Sequence, residues 1–82
     1  MKLLLIEDED RLASFVRKGM SAEGYEIDVA FDGRTGLSMF RREVYDVIIL
    51  DINLPQINGF ELCRMIRQEN DAVPVLMLTA LD

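Results

Sequence analysis

The sequence predicts an α/β protein with a parallel sheet, because four short apolar runs alternate with three segments whose apolar residues recur at helical spacing. Two of these runs, residues 3–6 and 47–50, are apolar throughout, as expected of strands that are buried on both faces of a parallel sheet. The element order βαβαβαβ therefore predicts a doubly wound sheet with helices on both faces, joined by right-handed crossovers.

The first strand is predicted over residues 3–6. The second strand is predicted over residues 25–30, where apolar and polar residues alternate as in an edge strand. The helix between them is expected to begin after Asp10, a good N-cap residue, and to end at Gly24. One stripe of this helix is predicted to face the sheet, and it consists of Leu12, Phe15, Val16 and Met20.

The remaining elements are a second helix over residues 34–43, a third strand over 45–50, a third helix over 59–69 and a fourth strand over 73–78. Asp32 is expected to cap the second helix, and Gly59 to supply backbone freedom where the loop 52–58 enters the third. Two faces of the third helix could pack on the sheet, namely Phe60, Cys63 and Ile66, or Leu62, Met65 and Ile66.

Length and composition bound the possible functions. The 82 residues suffice for one domain (residues 1–82) with a small core, and a hydrophobic content of 50% argues against disorder. The net charge of −6 argues against nucleic-acid binding by this chain, since such binding requires a basic face. No apolar run is long enough to span a membrane, no signal-peptide pattern precedes the first strand, and the single cysteine fits a reducing cytoplasm.

Acidic residues stand where two of the predicted strands end. Glu7 and Asp8 follow the first strand, and Asp51 ends the third. In the doubly wound order 2-1-3-4 these strands are neighbours at the point where ligands bind, and Thr79 at the end of the fourth strand can reach the same crevice. Mg²⁺ suits such carboxylates, and a carboxylate beside bound Mg²⁺ can act as a nucleophile that forms an aspartyl-phosphate.

These residues also have an ordinary structural explanation. An acidic residue after a strand often caps the next turn or helix, and Asp51 taken alone fits a cap as well as a functional group. Glu7, Asp8, Asp51 and Thr79 taken together favour a functional site. The side chains expected only to fill the core are Met39, Met65, Met77 and Cys63.

Four stretches of the chain carry a specific combination of motifs, of which Asp-x-x-Leu-Pro with a glycine four residues further on is the most specific. They are Leu3-Leu4-Leu5-Ile6-Glu7-Asp8-Glu9, Asp32-Gly33-x-x-Gly36-Leu37, Tyr45-Asp46-Val47-Ile48-Ile49-Leu50-Asp51-x-x-Leu54-Pro55-x-x-Asn58-Gly59-Phe60-Glu61-Leu62 and Val73-Pro74-Val75-Leu76-Met77-Leu78-Thr79-Ala80. Over its whole length the chain resembles the receiver domain of response regulators in bacterial two-component signalling. Within that family, its motif residues most resemble those of the OmpR/PhoB-type transcription-factor branch, which carries a winged-helix output domain.

This resemblance implies a flavodoxin-like fold with strand order 2-1-3-4. That order is known from the chemotaxis receiver, so its expectation here rests on the family and not on the residues of this chain. The resemblance also implies that the chain is a phosphoacceptor module and not a turnover enzyme, and that it regulates transcription within a full-length protein.

The resemblance implies a role for each matching residue. Asp51 would accept a phosphoryl group from the phosphohistidine of a sensor histidine kinase. Asp8 and Asp51 would bind Mg²⁺ directly, Asn53 through its backbone carbonyl, and Glu7 mainly through bound water. Thr79 would donate a hydrogen bond to the phosphoryl group and shift on activation.

The resemblance further implies a C-terminal truncation, because receivers usually continue with a fourth helix, a fifth strand and a fifth helix. The fifth strand carries an essential lysine, which neither Lys2 nor Lys18 can replace from its position. We therefore expect the acidic pocket to form and phosphorylation to be impaired. The fourth strand becomes an apolar edge, so self-association through it, or through the exposed apolar face, is expected.

Two alternatives to the receiver remain open at this point. One is a self-associating structural fragment with a vestigial acidic pocket, which would bind no Mg²⁺. The other is a haloacid-dehalogenase-like phosphohydrolase, which also uses an aspartate nucleophile after a strand. That class requires a second aspartate two residues further on, where this chain has Asn53, so it is disfavoured.

Overall fold

The computed structural model describes residues 1–78 and contains the predicted elements in the predicted order. The strands are β1 (Lys2–Ile6), β2 (Glu26–Ala30), β3 (Val47–Asp51) and β4 (Val75–Leu78), and the helices are α1 (Asp10–Ala22), α2 (Gly33–Arg42) and α3 (Gly59–Glu69). Among these residues, none of the helices is both long and apolar enough to cross a membrane.

The four strands form one parallel sheet in the order β2-β1-β3-β4, as predicted. The register places Ile6 beside Ala30 on one side and beside Leu50 on the other. Leu78 lies beside Asp51 in the same way. The carboxyl ends of all four strands therefore meet at one edge of the sheet, which is where parallel sheets place their ligands.

Helices cover both faces of the sheet. On one face, α2 and α3 pack Leu37, Leu62 and Ile66 against Leu4 and Ile6 of β1. On the other face α1 packs against β1 and β3, and the buried residues there are Leu5, Ala13 and Ile49. Met39, Met65, Met77 and Cys63 lie partly buried against the first of these clusters, as expected.

Helix α1 differs from its prediction at two points. Its N-cap is Glu9 and not Asp10, because the Glu9 carboxylate accepts hydrogen bonds from the backbone N–H groups of Arg11 (3.2 Å) and Leu12 (2.7 Å). The predicted stripe is also only partly covered, since Phe15 is 75% exposed. The helix is rotated so that a smaller residue, Ala13, makes the close contact with the sheet.

The other elements lie within two residues of their predicted bounds. Helix α3 turns Leu62, Met65 and Ile66 towards the sheet and leaves Phe60 exposed, which decides between the two faces left open. Strand β4 begins at Val75 and not at residue 73, because Pro74 has no N–H group to donate to the ladder.

Gly59 serves a purpose other than the predicted backbone freedom. Its φ is not positive; the left-handed residues among those described are Gln56 and Gly24. A Cβ atom at Gly59 would lie 2.6 Å from the Cα of Ile52 and closer still to the carbonyl oxygen of Asp51. Glycine is required here because the first turn of α3 rests directly on the backbone that follows β3.

The amino ends of the strands are tied together by polar side chains, here called the basal network (Lys2, Asp28, Glu43 and Tyr45). The hydroxyl of Tyr45 donates to Asp28 across 2.7 Å. The ammonium of Lys2 lies 3.2 Å from the carboxylate of Glu43, 3.9 Å from that of Asp28 and 5.5 Å from the centre of the Tyr45 ring. Opposite charges are thus paired at this end of the sheet.

Candidate functional site

The candidate site lies at the other end of the sheet, where β1 and β3 end side by side. Glu7 and Asp8 follow the last residue of β1, and Asp51 is the last residue of β3. One carboxylate oxygen from each of the three lies within 4.8 Å of the others. The structure thus brings together the three carboxylates that the sequence placed at neighbouring strand ends.

Glu7 is the most deeply buried of the three, with 2% of its surface exposed. Its Oε2 accepts a hydrogen bond from the backbone N–H of Glu9 at 3.1 Å. The pKa of this carboxyl is raised to about 7, mainly by burial and also by the negative charge of Asp51, while the hydrogen bond from the Glu9 N–H opposes the rise. The raised pKa shows that it is unfavourable to hold all three carboxyls ionised so close together, and a bound cation would relieve this repulsion.

Asp51 is held in place by the loop that follows it. Its Oδ1 accepts a hydrogen bond from the backbone N–H of Asn53 at 3.2 Å, and the residue is 7% exposed. The N–H of Gly59 donates to the carbonyl of Ile52 at 2.8 Å, so the start of α3 is fastened to the residue after Asp51. These contacts position the carboxylate on the floor of the site.

The three carboxylates open into a cavity of about 400 Å³. Its lining residues are Glu7, Asp8, Glu9, Leu12, Asp51, Asn53 and Leu78. No lysine or arginine among residues 1–78 contributes to this lining, so the charge of the described part of the cavity is wholly negative. Another cavity, of about 450 Å³, lies between α1, β2 and α2 and contains none of the three carboxylates.

The donor set fits a small divalent cation. Oxygen ligands of an octahedral Mg²⁺ ion lie up to about 4 Å apart, and one oxygen from each of these carboxylates lies within 4.8 Å of the others, so small side-chain movements would bring all three to one ion. Asp8 is exposed and the Asp51 carboxylate is held by a hydrogen bond, so the cluster combines one adjustable carboxylate with one fixed carboxylate. Asn53 lines the same cavity, whereas Thr79 lies outside the residues that the structure describes.

Sequence reasoning missed three residues of the cavity, which are Leu78 at the end of β4 and, on the side of α1, Glu9 and Leu12. From the sequence, Glu9 was interpreted as part of a solvated face, although its position immediately before α1 indicates that it could be the N-cap of that helix. Leu12 fits the core stripe of α1 by its spacing, but its 38% exposure reflects its position at the mouth of the cavity. Together Glu9 and Leu12 form the wall of the cavity at the start of α1.

Comparison with known proteins places the chain in one family. The model of the response regulator receiver domain matches residues 3–82. The response regulator ArlR of Staphylococcus saprophyticus is 44% identical over 79 residues, and the transcriptional regulatory protein CusR of Escherichia coli is 43% identical over 81 residues. The alignments include 96% and 99% of this chain but 36% of each relative, so the chain spans about a third of their length.

Solved structures agree with this relationship. TrrA of Thermotoga maritima in complex with Mg²⁺-BeF superposes with a TM-score of 0.94, and TrrA in complex with the histidine kinase ThkA with a TM-score of 0.92. In both cases the sequences are 34% identical, and the match covers 99% of this chain and 70% of TrrA. With the fold, the strand order and the sequence in agreement, the chain belongs to the response regulator receiver domain family.

Proposed function

We propose that this chain is the phosphoacceptor module of a response regulator, with Asp51 as the residue that receives a phosphoryl group from the phosphohistidine of a sensor histidine kinase. The observation that carries the proposal is the fixed Asp51 carboxylate, which shares a cavity with Glu7 and Asp8. The solved complex of TrrA with its histidine kinase supports the class of donor.

The transfer requires one carboxylate oxygen to attack phosphorus. A bond forms between that oxygen of Asp51 and phosphorus, the phosphorus–nitrogen bond to histidine breaks, and the imidazole nitrogen keeps the electron pair. The N–H of Asn53 holds Oδ1 of Asp51, which leaves the second oxygen available to the cavity. Thr79 is the proposed hydrogen-bond donor to the phosphoryl group.

We propose Mg²⁺ as the metal of this site, held directly by Asp8 and Asp51, by the backbone carbonyl of Asn53, and by Glu7 through water. When bound, it neutralises charge on the phosphoryl oxygens during transfer. The spacing of the carboxylate oxygens supports this assignment, and TrrA, which is similar to this chain, has been solved with Mg²⁺-BeF.

In the full-length protein the phosphorylated domain is proposed to regulate transcription in the cytoplasm. The relative CusR is named as a transcriptional regulatory protein, which supports this output. DNA binding is proposed to reside outside this chain, because the net charge of −6 supplies no basic face.

The 82 residues alone are proposed to accept the phosphoryl group slowly. Transfer places further negative charge beside three carboxylates, and no cationic side chain among residues 1–78 lines the cavity to offset it. A preorganised countercharge of this kind commonly contributes orders of magnitude to such a reaction.

The test is labelling by a small phosphodonor, acetyl phosphate, with and without Mg²⁺, followed by intact-mass measurement. We expect slow, Mg²⁺-dependent gain of one phosphoryl group, which is absent in Asp51→Asn. The matched control Asp46→Asn removes a carboxylate at the opposite end of the sheet and should label like the unchanged chain. Equal labelling of Asp51→Asn, or no labelling of the unchanged chain at any Mg²⁺ concentration, contradicts the proposal and favours a vestigial pocket.

We also propose that the 82-residue chain self-associates through β4. This strand is an edge of the described sheet, carries no charged residue and presents Leu76, which is 55% exposed. An uncharged, apolar edge with free backbone groups is a template for pairing with another strand.

A further inference from the structure

We propose that Asn58 is a deamidation site that the fold holds unreactive, so that its conversion to aspartate or iso-aspartate records opening of the loop between β3 and α3. Asn58 is followed by Gly59. Because glycine has no side chain, it hinders least the attack of its own backbone nitrogen on the preceding side-chain amide. The proposal concerns this chain's chemistry and is independent of the phosphoryl-transfer function.

The reaction needs only water as a co-reactant. The backbone nitrogen of Gly59 attacks Cγ of Asn58 and forms a carbon–nitrogen bond; its proton passes through water to the departing amide nitrogen, which leaves as ammonia. Water then adds to one of the two carbonyl groups of the cyclic imide and breaks one of its ring carbon–nitrogen bonds. Opening on one side gives aspartate with the original backbone, and opening on the other gives iso-aspartate, whose backbone runs through the former side chain.

In the folded chain both reacting groups are engaged elsewhere. The N–H of Gly59 donates to the carbonyl of Ile52 at 2.8 Å, and Gly59 is buried against the backbone of Asp51. The side-chain oxygen of Asn58 accepts from the N–H of Glu61 at 2.9 Å, as the N-cap of α3. Attack therefore requires the first turn of α3 to detach from β3.

The two products differ in their fit to the fold. Aspartate is as good an N-cap as asparagine, and its charge is favourable at the start of a helix. Iso-aspartate adds a backbone carbon immediately before Gly59 and so displaces Gly59, whose backbone packs so closely on β3 that a Cβ atom on it would lie 2.6 Å from the Cα of Ile52. The iso-aspartyl chain therefore cannot re-form the close packing of the first turn of α3 on the backbone that follows Asp51.

The test compares deamidation in buffer and in urea by peptide mapping with mass spectrometry. Asn53 and Asn70 are internal controls, since Leu54 and Asp71 follow them. In urea, Asn58 should react faster than either control; in buffer, its rate should fall at least about tenfold, in proportion to the fraction of open chains. Equal rates of Asn58 in buffer and urea, or no excess over Asn53 and Asn70 in urea, overturn the proposal.

A second measurement separates the two products. Samples aged in urea are refolded, and the iso-aspartyl fraction is isolated by chromatography for comparison with the variant Asn58→Asp. The variant should unfold at the urea concentration of the unchanged chain or above it, and the iso-aspartyl fraction at a clearly lower one. Equal midpoints for the iso-aspartyl fraction and Asn58→Asp would show that α3 does not need its close packing at Gly59, and would overturn the proposed consequence.

Discussion

Single atoms decide how α2 and α3 approach the sheet. Gly59 brings the start of α3 onto the backbone that follows β3, whereas Gly36 lets α2 pack closely on the side chain of Ile6, since a Cβ atom there would lie 2.5 Å from Cδ1 of Ile6. The neighbour of Gly36 is the end of a side chain, whereas the neighbours of Gly59 are backbone atoms that cannot rotate away. We therefore expect Gly59 to be the less replaceable of the two.

Gly59→Ala should lower the free energy of unfolding by roughly 1–3 kcal/mol, as other overpacked sites do. Urea denaturation followed by circular dichroism measures the change. Gly19→Ala is the matched control, since Gly19 lies within α1 with no atom within 4 Å of a Cβ at that position. That variant should gain roughly 0.5–1 kcal/mol from helix propensity. A Gly59→Ala chain as stable as the unchanged one contradicts the packing explanation.

The sequence identified Gly59 as special but not the reason for it. A glycine after a loop is most simply explained by backbone freedom, and the actual reason is a contact with residues that lie seven and eight positions earlier. The carboxylates were easier to predict, because the ends of Leu3–Ile6 and Val47–Leu50 as apolar runs locate Glu7, Asp8 and Asp51 without any knowledge of packing. Phe15 was wrongly predicted to face the sheet, because helical spacing defines an apolar stripe but does not show which part of that stripe the sheet covers.

At the scale of elements, each helix begins with a side-chain cap that takes the place of a missing carbonyl. Asp32 illustrates this for α2: its carboxylate accepts hydrogen bonds from the backbone N–H and the hydroxyl of Thr35 at 2.7 and 3.0 Å. The backbone N–H of Thr35 is the main cause that lowers the pKa of Asp32 below its ordinary value of 3.8. Because folding lowers this pKa, the cap contributes its full stability at pH values above the unfolded-state pKa of 3.8. That stability is lost as the pH falls through the folded-state pKa.

Asp32→Ala should therefore cost about 1 kcal/mol of unfolding free energy near neutral pH. The difference in unfolding free energy from the unchanged chain should shrink as the pH falls through the lowered pKa of Asp32, where the carboxyl takes up its proton. Asp32→Asn retains an acceptor that does not titrate, so the difference in unfolding free energy between Asp32→Asn and Asp32→Ala should stay nearly constant over the same pH range. Urea midpoints measured across this pH range test the prediction, and a constant cost for Asp32→Ala argues against the charged cap.

For the whole molecule, the two edges of the described sheet differ in character. The β2 edge carries Glu26 and Asp28, whose charges discourage pairing with another strand. The β4 edge consists of Val75, Leu76, Met77 and Leu78. Association of the 82-residue chain is accordingly expected at β4 and not at β2.

Sedimentation across a range of concentrations tests this expectation. The average mass of the unchanged chain should rise with concentration, and Leu76→Lys should suppress the rise by placing a charge on the pairing edge. Glu26→Gln makes the same change in net charge at the guarded edge and should leave association intact. A monomer at every concentration, or equal effects of the two variants, contradicts association through β4.

The basal network also bears on how such a module can vary. Lys2, Asp28 and Tyr45 clamp the strands at the end of the sheet remote from the carboxylates. The three carboxylates are therefore not needed to hold the strands together. Substitutions in the acidic pocket, including ones that remove a charge, can therefore change its chemistry while the basal network keeps the strands in register.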